Sequence, residues 1–300
     1  MVDGIVLLPF VELEFTHGLG PAPGRYVVRV PGSALPAPVP APAAGVAPTL
    51  AIGSTDVLLV RVDQAPVART PLLRRARPRQ VDPGGPPDEV PVYVAVLLFA
   101  TRAFADGAAA GAALARWRAD AGSAEPLVHE ALVVLNRAVR AYRAAAAHPY
   151  VVEVTRTDAR AVRIGYGGAE LARGEWEDAV VLPAPQAPRL GRAERLRPTE
   201  IVADVLAGRG SILDGEDVLL RAVLDVEQGR PEAAAGQLEL AVRLLADAPA
   251  GSGARMQGIH ARAAQLRERL GDGETRAAAL TELSTVMAEV GEAIDAWRAG

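Results

Sequence analysis

Two stretches near the C-terminus decide the fold: 256–270, MQGIHARAAQLRERL, and 280–297, LTELSTVMAEVGEAIDAW. Met256, Ile259, Ala263, Leu266 and Leu270 form one apolar series, and Leu280, Leu283, Met287, Val290, Ile294 and Trp297 form a second. Steps of three and four residues bring each series onto a single helix face. Gly271-Asp272-Gly273 separates the two, so the pair reads as an αα-hairpin. Such seams serve packing or partner binding rather than chemistry. The residues expected to receive a partner are Leu280, Leu283, Met287, Val290, Ile294 and Trp297, provided part of that face stays exposed. If the two seams bury each other, the hairpin is a core element instead.

Further helices are expected before the hairpin, at Thr199–Ala207, Asp214–Gln228 and Pro231–Leu245, the first two closed by Gly208 and Gly229. Residues 199–300 therefore read as a helical bundle. Within it, 229–244 is GRPEAAAGQLELAVRL, where a turn glycine precedes Ala234, Leu238 and Ala241, and Ala222 supplies a small residue in the helix before. Glycine turns the chain and alanine lets paired helices approach closely. On these residues the stretch at about 216–246 resembles a tetratricopeptide repeat, which implies a closely packed helix pair. Arg221 and Asp225 stand where that family usually has apolar or aromatic residues, and no second copy follows at the required period.

The first 68 residues read as a β-rich unit with strands at Ile5–Leu8, Val11–Phe15, Tyr26–Val30 and Val57–Val62. A proline-rich loop at 33–48, with Pro36, Pro38, Pro40 and Pro42, interrupts it, since alternating prolines cannot join a sheet ladder. An Arg/Pro linker spans 69–89. Residues 90–182 then combine a helical hairpin with short strands. Its helical pattern is expected from Val92, and a second helix from near Pro126 carries Val128, Leu132, Leu135, Val139, Tyr142 and Ala146 on one face. His148-Pro149 ends that helix. Strands at Tyr150–Val154 and Arg160–Ile164 follow, with Gly165-Tyr166-Gly167-Gly168 as a tight turn. A second Pro/Arg linker covers 183–198. The fold class is α+β: a β-rich N-terminal unit, a central α/β segment and C-terminal all-α hairpins.

Composition narrows the chemistry. The chain has 300 residues, half of them hydrophobic and 4% aromatic, so its core is made of small aliphatic side chains. There is no cysteine, which excludes disulfides, thiolate metal sites and thiol nucleophiles. All 32 basic residues are Arg, which excludes Schiff-base chemistry and a phosphate-loop lysine. The four histidines, His17, His129, His148 and His260, share no metal-ligand spacing. No cofactor is called for. The longest apolar run, Val90–Ala100, is too short to cross a bilayer, and the first residues carry no basic, apolar leader pattern. A cytoplasmic protein with no membrane partner is expected.

The favoured reading is a non-catalytic interaction or assembly module whose partner is a protein or a second copy of the chain. Binding of nucleic acid or phosphate is the first alternative, through Arg74, Arg75, Arg77 and Arg79 in one linker and Arg189, Arg192 and Arg195 in the other. Neither linker has the interleaved aromatics of a single-strand binder, and the net charge of −4 argues against a dedicated nucleic-acid coat. The second alternative is an enzyme with a carboxylate site in 153–178, centred on Asp158 or Glu170.

Overall fold

Strand β1, Leu8–Phe15, alternates apolar and acidic side chains, Phe10, Glu12 and Glu14 against Val11, Leu13 and Phe15, and becomes the centre of a six-stranded sheet. Its partners are β2 (Gly24–Val28), β3 (Asp56–Pro66), β4 (Glu89–Leu98), β5 (Ala161–Gly167) and β6 (Asp178–Val181), in the order β2-β3-β4-β1-β5-β6. Every pairing is antiparallel. The computed structural model describes residues 6–28, 55–66, 89–168, 170–171, 175–185, 191–246, 253–271 and 276–299. The chain divides into two units, 1–187 and 188–300.

In the first unit, α1 (Gly107–Ala119) and α2 (Glu125–Ala145) lie on one face of the sheet. Val11, Leu13, Leu58, Leu97, Val162 and Ile164 meet Leu114 and Trp117 of α1 and Val128, Leu132, Leu135 and Val139 of α2. Leu8, Phe10, Leu59, Val92, Val94, Val96 and Leu98 are buried on the opposite face, where Leu171 packs and Trp176 stacks on Phe10. The strands expected within 1–68 and those within 90–182 thus share one sheet. The 69–89 stretch connects β3 to β4, which pair from Val57↔Leu98 to Pro66↔Glu89.

Four local expectations are corrected. The run from Val92 is strand β4 rather than helix, because a central strand buried on both faces is continuously apolar and loses the alternation that distinguishes it. Of the strand expected at Ile5–Leu8, Ile5 lies outside the described residues, Val6 and Leu7 are not strand, and Leu8 opens β1, which continues through Pro9. Tyr150–Val154 forms no strand. Asn136 of α2, fully buried, takes the backbone there instead: its Nδ2 donates to the Val154 carbonyl and its Oδ1 accepts from the Val154 amide, both at 2.8 Å. The glycine run 165–168 is not a turn either, since Gly165 and Gly167 lie within β5. A Cβ at Gly165 would sit 2.3 Å from the Asp178 carbonyl oxygen, so glycine is what lets β6 approach.

The second unit is helical: α3 (Arg192–Leu206), α4 (Asp214–Glu227), α5 (Pro231–Ala246), α6 (Gly253–Gly271) and α7 (Arg276–Ala299). Neighbours α4–α5, α5–α6 and α6–α7 pack in sequence, and α7 returns to α4, which closes the four helices into a ring. At Gly215 a Cβ would lie 2.5 Å from Leu245 Cγ and 2.8 Å from the Ala241 carbonyl, so α4 and α5 are in near backbone contact. Leu219, Ala222, Ala234, Leu238, Ala241 and Val242 join Ile259, Leu266, Leu283 and Val290 in one core. Among the described residues, no helix is long and apolar enough to cross a membrane.

Candidate functional site

The α6 and α7 seams face inward. Leu283 and Val290 have no exposure, Met287 and Ile294 are buried beside them, and Leu280 is half-buried; the Trp297 side chain lies outside the described residues. Met287 and Val290 share a core with Leu266 and Ile259 of α6 and Leu238 of α5. The face expected to receive a partner is thus closed within its own unit, because two facing seams remove each other from water more completely than one exposed seam can. Among the described residues of that face, Leu280 alone keeps part of its side chain exposed.

Exposed apolar side chains occur in both units, among them Val27, Tyr150, Val152 and Val181 in the first; in the second, several fall on α3, in the stretch read as linker up to Pro198. The helix begins at Arg192 because Glu194 Oε2 accepts a hydrogen bond from the Gly191 amide at 2.8 Å and places a negative charge in the first turn. Pro198 inside it lacks the amide that would bond the Glu194 carbonyl. The helix closes through the Ala207 and Gly208 amides, Gly208 taking φ +70°. At 3.6 residues per turn, Pro198, Ile201 and Val205 share one side. Ile201 and Pro198 line a shallow groove of about 450 Å³ with Ile212, Leu220, Glu216 and Asp217. Leu196, Thr199, Val202 and Leu206 fall on the other side. Val202 is 56% exposed and Leu206 83%, and Leu220 on α4 is 68% exposed. α3 is thus apolar on two sides, and among its described side chains only Ile201 and Val205, on the groove side, are half-buried.

Charged pairs lie on the groove side of the helix. Arg197 reaches Asp295 of α7 at 2.7 Å, an exposed pair that fastens α3 to the ring, and Arg209 holds Asp204 at 2.8 Å. Arg192, Glu194 and Glu200 are exposed. The residues offered for phosphate binding do not gather among the described residues. Arg192 opens α3, Arg195 is within α3 with its side chain outside the described residues, and Arg74, Arg75, Arg77, Arg79 and Arg189 lie outside them altogether.

Three of the carboxylates of 153–178, Glu153, Asp158 and Asp178, are engaged by local partners. Asp158 Oδ2 accepts from the Thr155 amide at 2.7 Å and from its hydroxyl at 2.8 Å, which closes an exposed turn. Glu153 accepts from Arg143 at 3.2 Å, Asp178 from the Ala179 amide at 2.8 Å, and Glu170 lies exposed on a short helical turn. No group of three or more His, Cys, Asp or Glu able to hold a metal occurs among the described residues.

Sequence reading missed a charged cluster inside the sheet. Glu12 of β1, 1% exposed, accepts from Arg163 of β5 at 2.7 Å and from Arg61 of β3 at 3.0 Å; Arg163 also reaches Glu14, and Arg61 reaches Asp63 at 2.7 Å. Burial pushes the Glu12 carboxyl above its ordinary pKa, against the pull of the two guanidiniums. For Arg163 burial is the largest single effect and lowers the pKa, but hydrogen bonds to Glu14 and Glu12 together outweigh it and raise the pKa. Acid and base saturate each other here, and the cluster ties three strands together. The available signal was Glu12 and Glu14 alternating within an apolar strand, with Arg61 and Arg163 in strands of their own.

No protein-family model, curated protein or solved structure matches the chain.

Proposed function

We propose that the protein is a non-catalytic, cytoplasmic interaction module that docks its partner on the outer side of α3 in the helical unit. The tetratricopeptide-like reading of 216–246, now the α4–α5 pair, belongs to this proposal as the support on which α3 rests. One observation carries it: Leu196, Val202 and Leu206 stand exposed along one side of α3, while most aliphatic side chains of α4 to α7 are gathered into one core. Burying an exposed Leu or Val contributes about 1.5–3 kcal/mol, which has to outweigh the entropy of association. A partner that covers all of them gains several kcal/mol toward that requirement.

The test is the full chain carrying Leu196→Ser, Val202→Ser and Leu206→Ser together, tagged and recovered after cross-linking in the cells that make it. These positions are solvent-facing, so each change alters stability by no more than about 0.5 kcal/mol. The wild type is expected to yield a defined cross-linked complex, and the triple variant about tenfold less of it. Equal recovery from both chains sinks the proposal.

A further inference from the structure

We infer that the groove between α3 and α4 takes a short peptide segment, basic and apolar in alternation, from a partner protein. The groove is on the opposite side of α3 from the docking surface proposed above and does not depend on it. Among the described residues no element packs closely on α3, and the exposed Arg197–Asp295 pair ties it to α7. The gap behind the helix is therefore open. Pro198, Ile201, Ile212 and Leu220 form its apolar floor, with Ile212 51% and Leu220 68% exposed. Covering that floor removes apolar surface from water, which drives a ligand to fill it.

Charge decides which ligand. Around the floor stand four carboxylates, Glu194, Glu216, Asp217 and Asp295, against one guanidinium, Arg197. Local bonds use one oxygen each of Glu194, Asp217 and Asp295: with the Gly191 amide, with Arg221 at 2.9 Å and with Arg197. The second oxygen of each has no hydrogen-bond partner among the described residues, so it is left to accept from a cation that enters. With Arg221 counted beside Arg197, four carboxylates still outnumber two guanidiniums. An acidic rim over an apolar floor disfavours a phosphate-bearing strand or an acidic peptide. It matches a segment in which Arg or Lys alternates with aliphatic side chains. Volume sets the length of that segment. An α-helix is about 10–12 Å across with its side chains, so a groove of about 450 Å³ holds about one helical turn, or three to four residues. Affinity for so short a segment is modest.

The test is fluorescence anisotropy of a labelled hexapeptide of alternating leucine and arginine, titrated with the full chain. Wild type is expected to bind it with a Kd of about 10–100 µM. Peptides with glutamate in place of arginine, or serine in place of leucine, are expected to bind at least about tenfold more weakly. Leu220→Ser removes part of the floor and Asp217→Asn one carboxylate, and each is expected to weaken binding about fivefold or more. Both side chains are exposed, so helix content followed by circular dichroism is expected to stay unchanged. Three results overturn the assignment: no saturation below about 1 mM, equal binding by wild type and both variants, or displacement by equimolar spermidine, which has the charge without the aliphatic side chains. The chain carrying Leu196→Ser, Val202→Ser and Leu206→Ser is expected to bind the hexapeptide as wild type does. The docking proposal falls separately, on equal cross-linked recovery from wild type and that triple variant.

Discussion

At the scale of single residues, the cluster on Glu12 is where charge and burial compete most directly. The carboxyl has two guanidinium partners, yet burial holds its pKa above the ordinary 4.5. The native state therefore keeps a proton that the unfolded chain releases as pH rises past that value. Its contribution to stability is complete below about pH 4.5 and is lost as pH climbs through the raised native pKa. Glu12→Gln removes this titration. Denaturant unfolding across pH is expected to show wild type losing stability relative to Glu12→Gln as pH rises from about 4, and a pH-independent difference would contradict the assignment. A second residue-level lesson is Asp225, which breaks the tetratricopeptide pattern in sequence. It is 4% exposed and accepts from Gln237 at 2.8 Å and from Arg230. The departure is thus a tie that holds the α4–α5 turn, and a linear pattern of small and bulky residues could not reveal it.

At the scale of elements, helix ends and helix faces were legible where a local cause set them. The stripe on α2 is present over Val128, Leu132, Leu135 and Val139, all buried, while Tyr142 and Ala146 at its end are exposed, and Pro126 lies in its first turn. The helix stops at Ala145, three residues short of Pro149, and Ala147 takes φ +50°, a left-handed position suited to glycine. Ala147→Gly is expected to stabilise the protein by about 0.5–1 kcal/mol, read as a shift in denaturation midpoint without change of slope. A destabilised variant would mean that the cap is not strained. Strand β4 and helix α3 were misread for opposite reasons. β4 has no alternation because both its sides are covered, and α3 starts seven residues before the expected Thr199 because a Glu194 cap outweighs a run of Arg and an internal Pro.

At the scale of the whole molecule, two cores form in two units, each of which is complete in its own apolar contacts. Val290 lies at zero exposure in the second, so Val290→Asp buries an unpaired carboxylate and is expected to cost more than about 4 kcal/mol. Hydrogen exchange should then show α4 to α7 unprotected while amides of β1 and β4 keep their protection. Persistent protection in α5 and α7 would show that the seam is not core. The α+β class, the helical C-terminal third and the absence of lysine and cysteine chemistry follow from periodicity and composition, which are properties of neighbouring residues along the chain. Which seam is buried, which strands share a sheet, and that Glu12 meets Arg61 and Arg163 across 49 and 151 residues follow only from the tertiary structure. An amphipathic helix specifies that it must cover its apolar face, but not with what. For α6 and α7 the nearest apolar surface is in the same unit, and for α3 one side is left over.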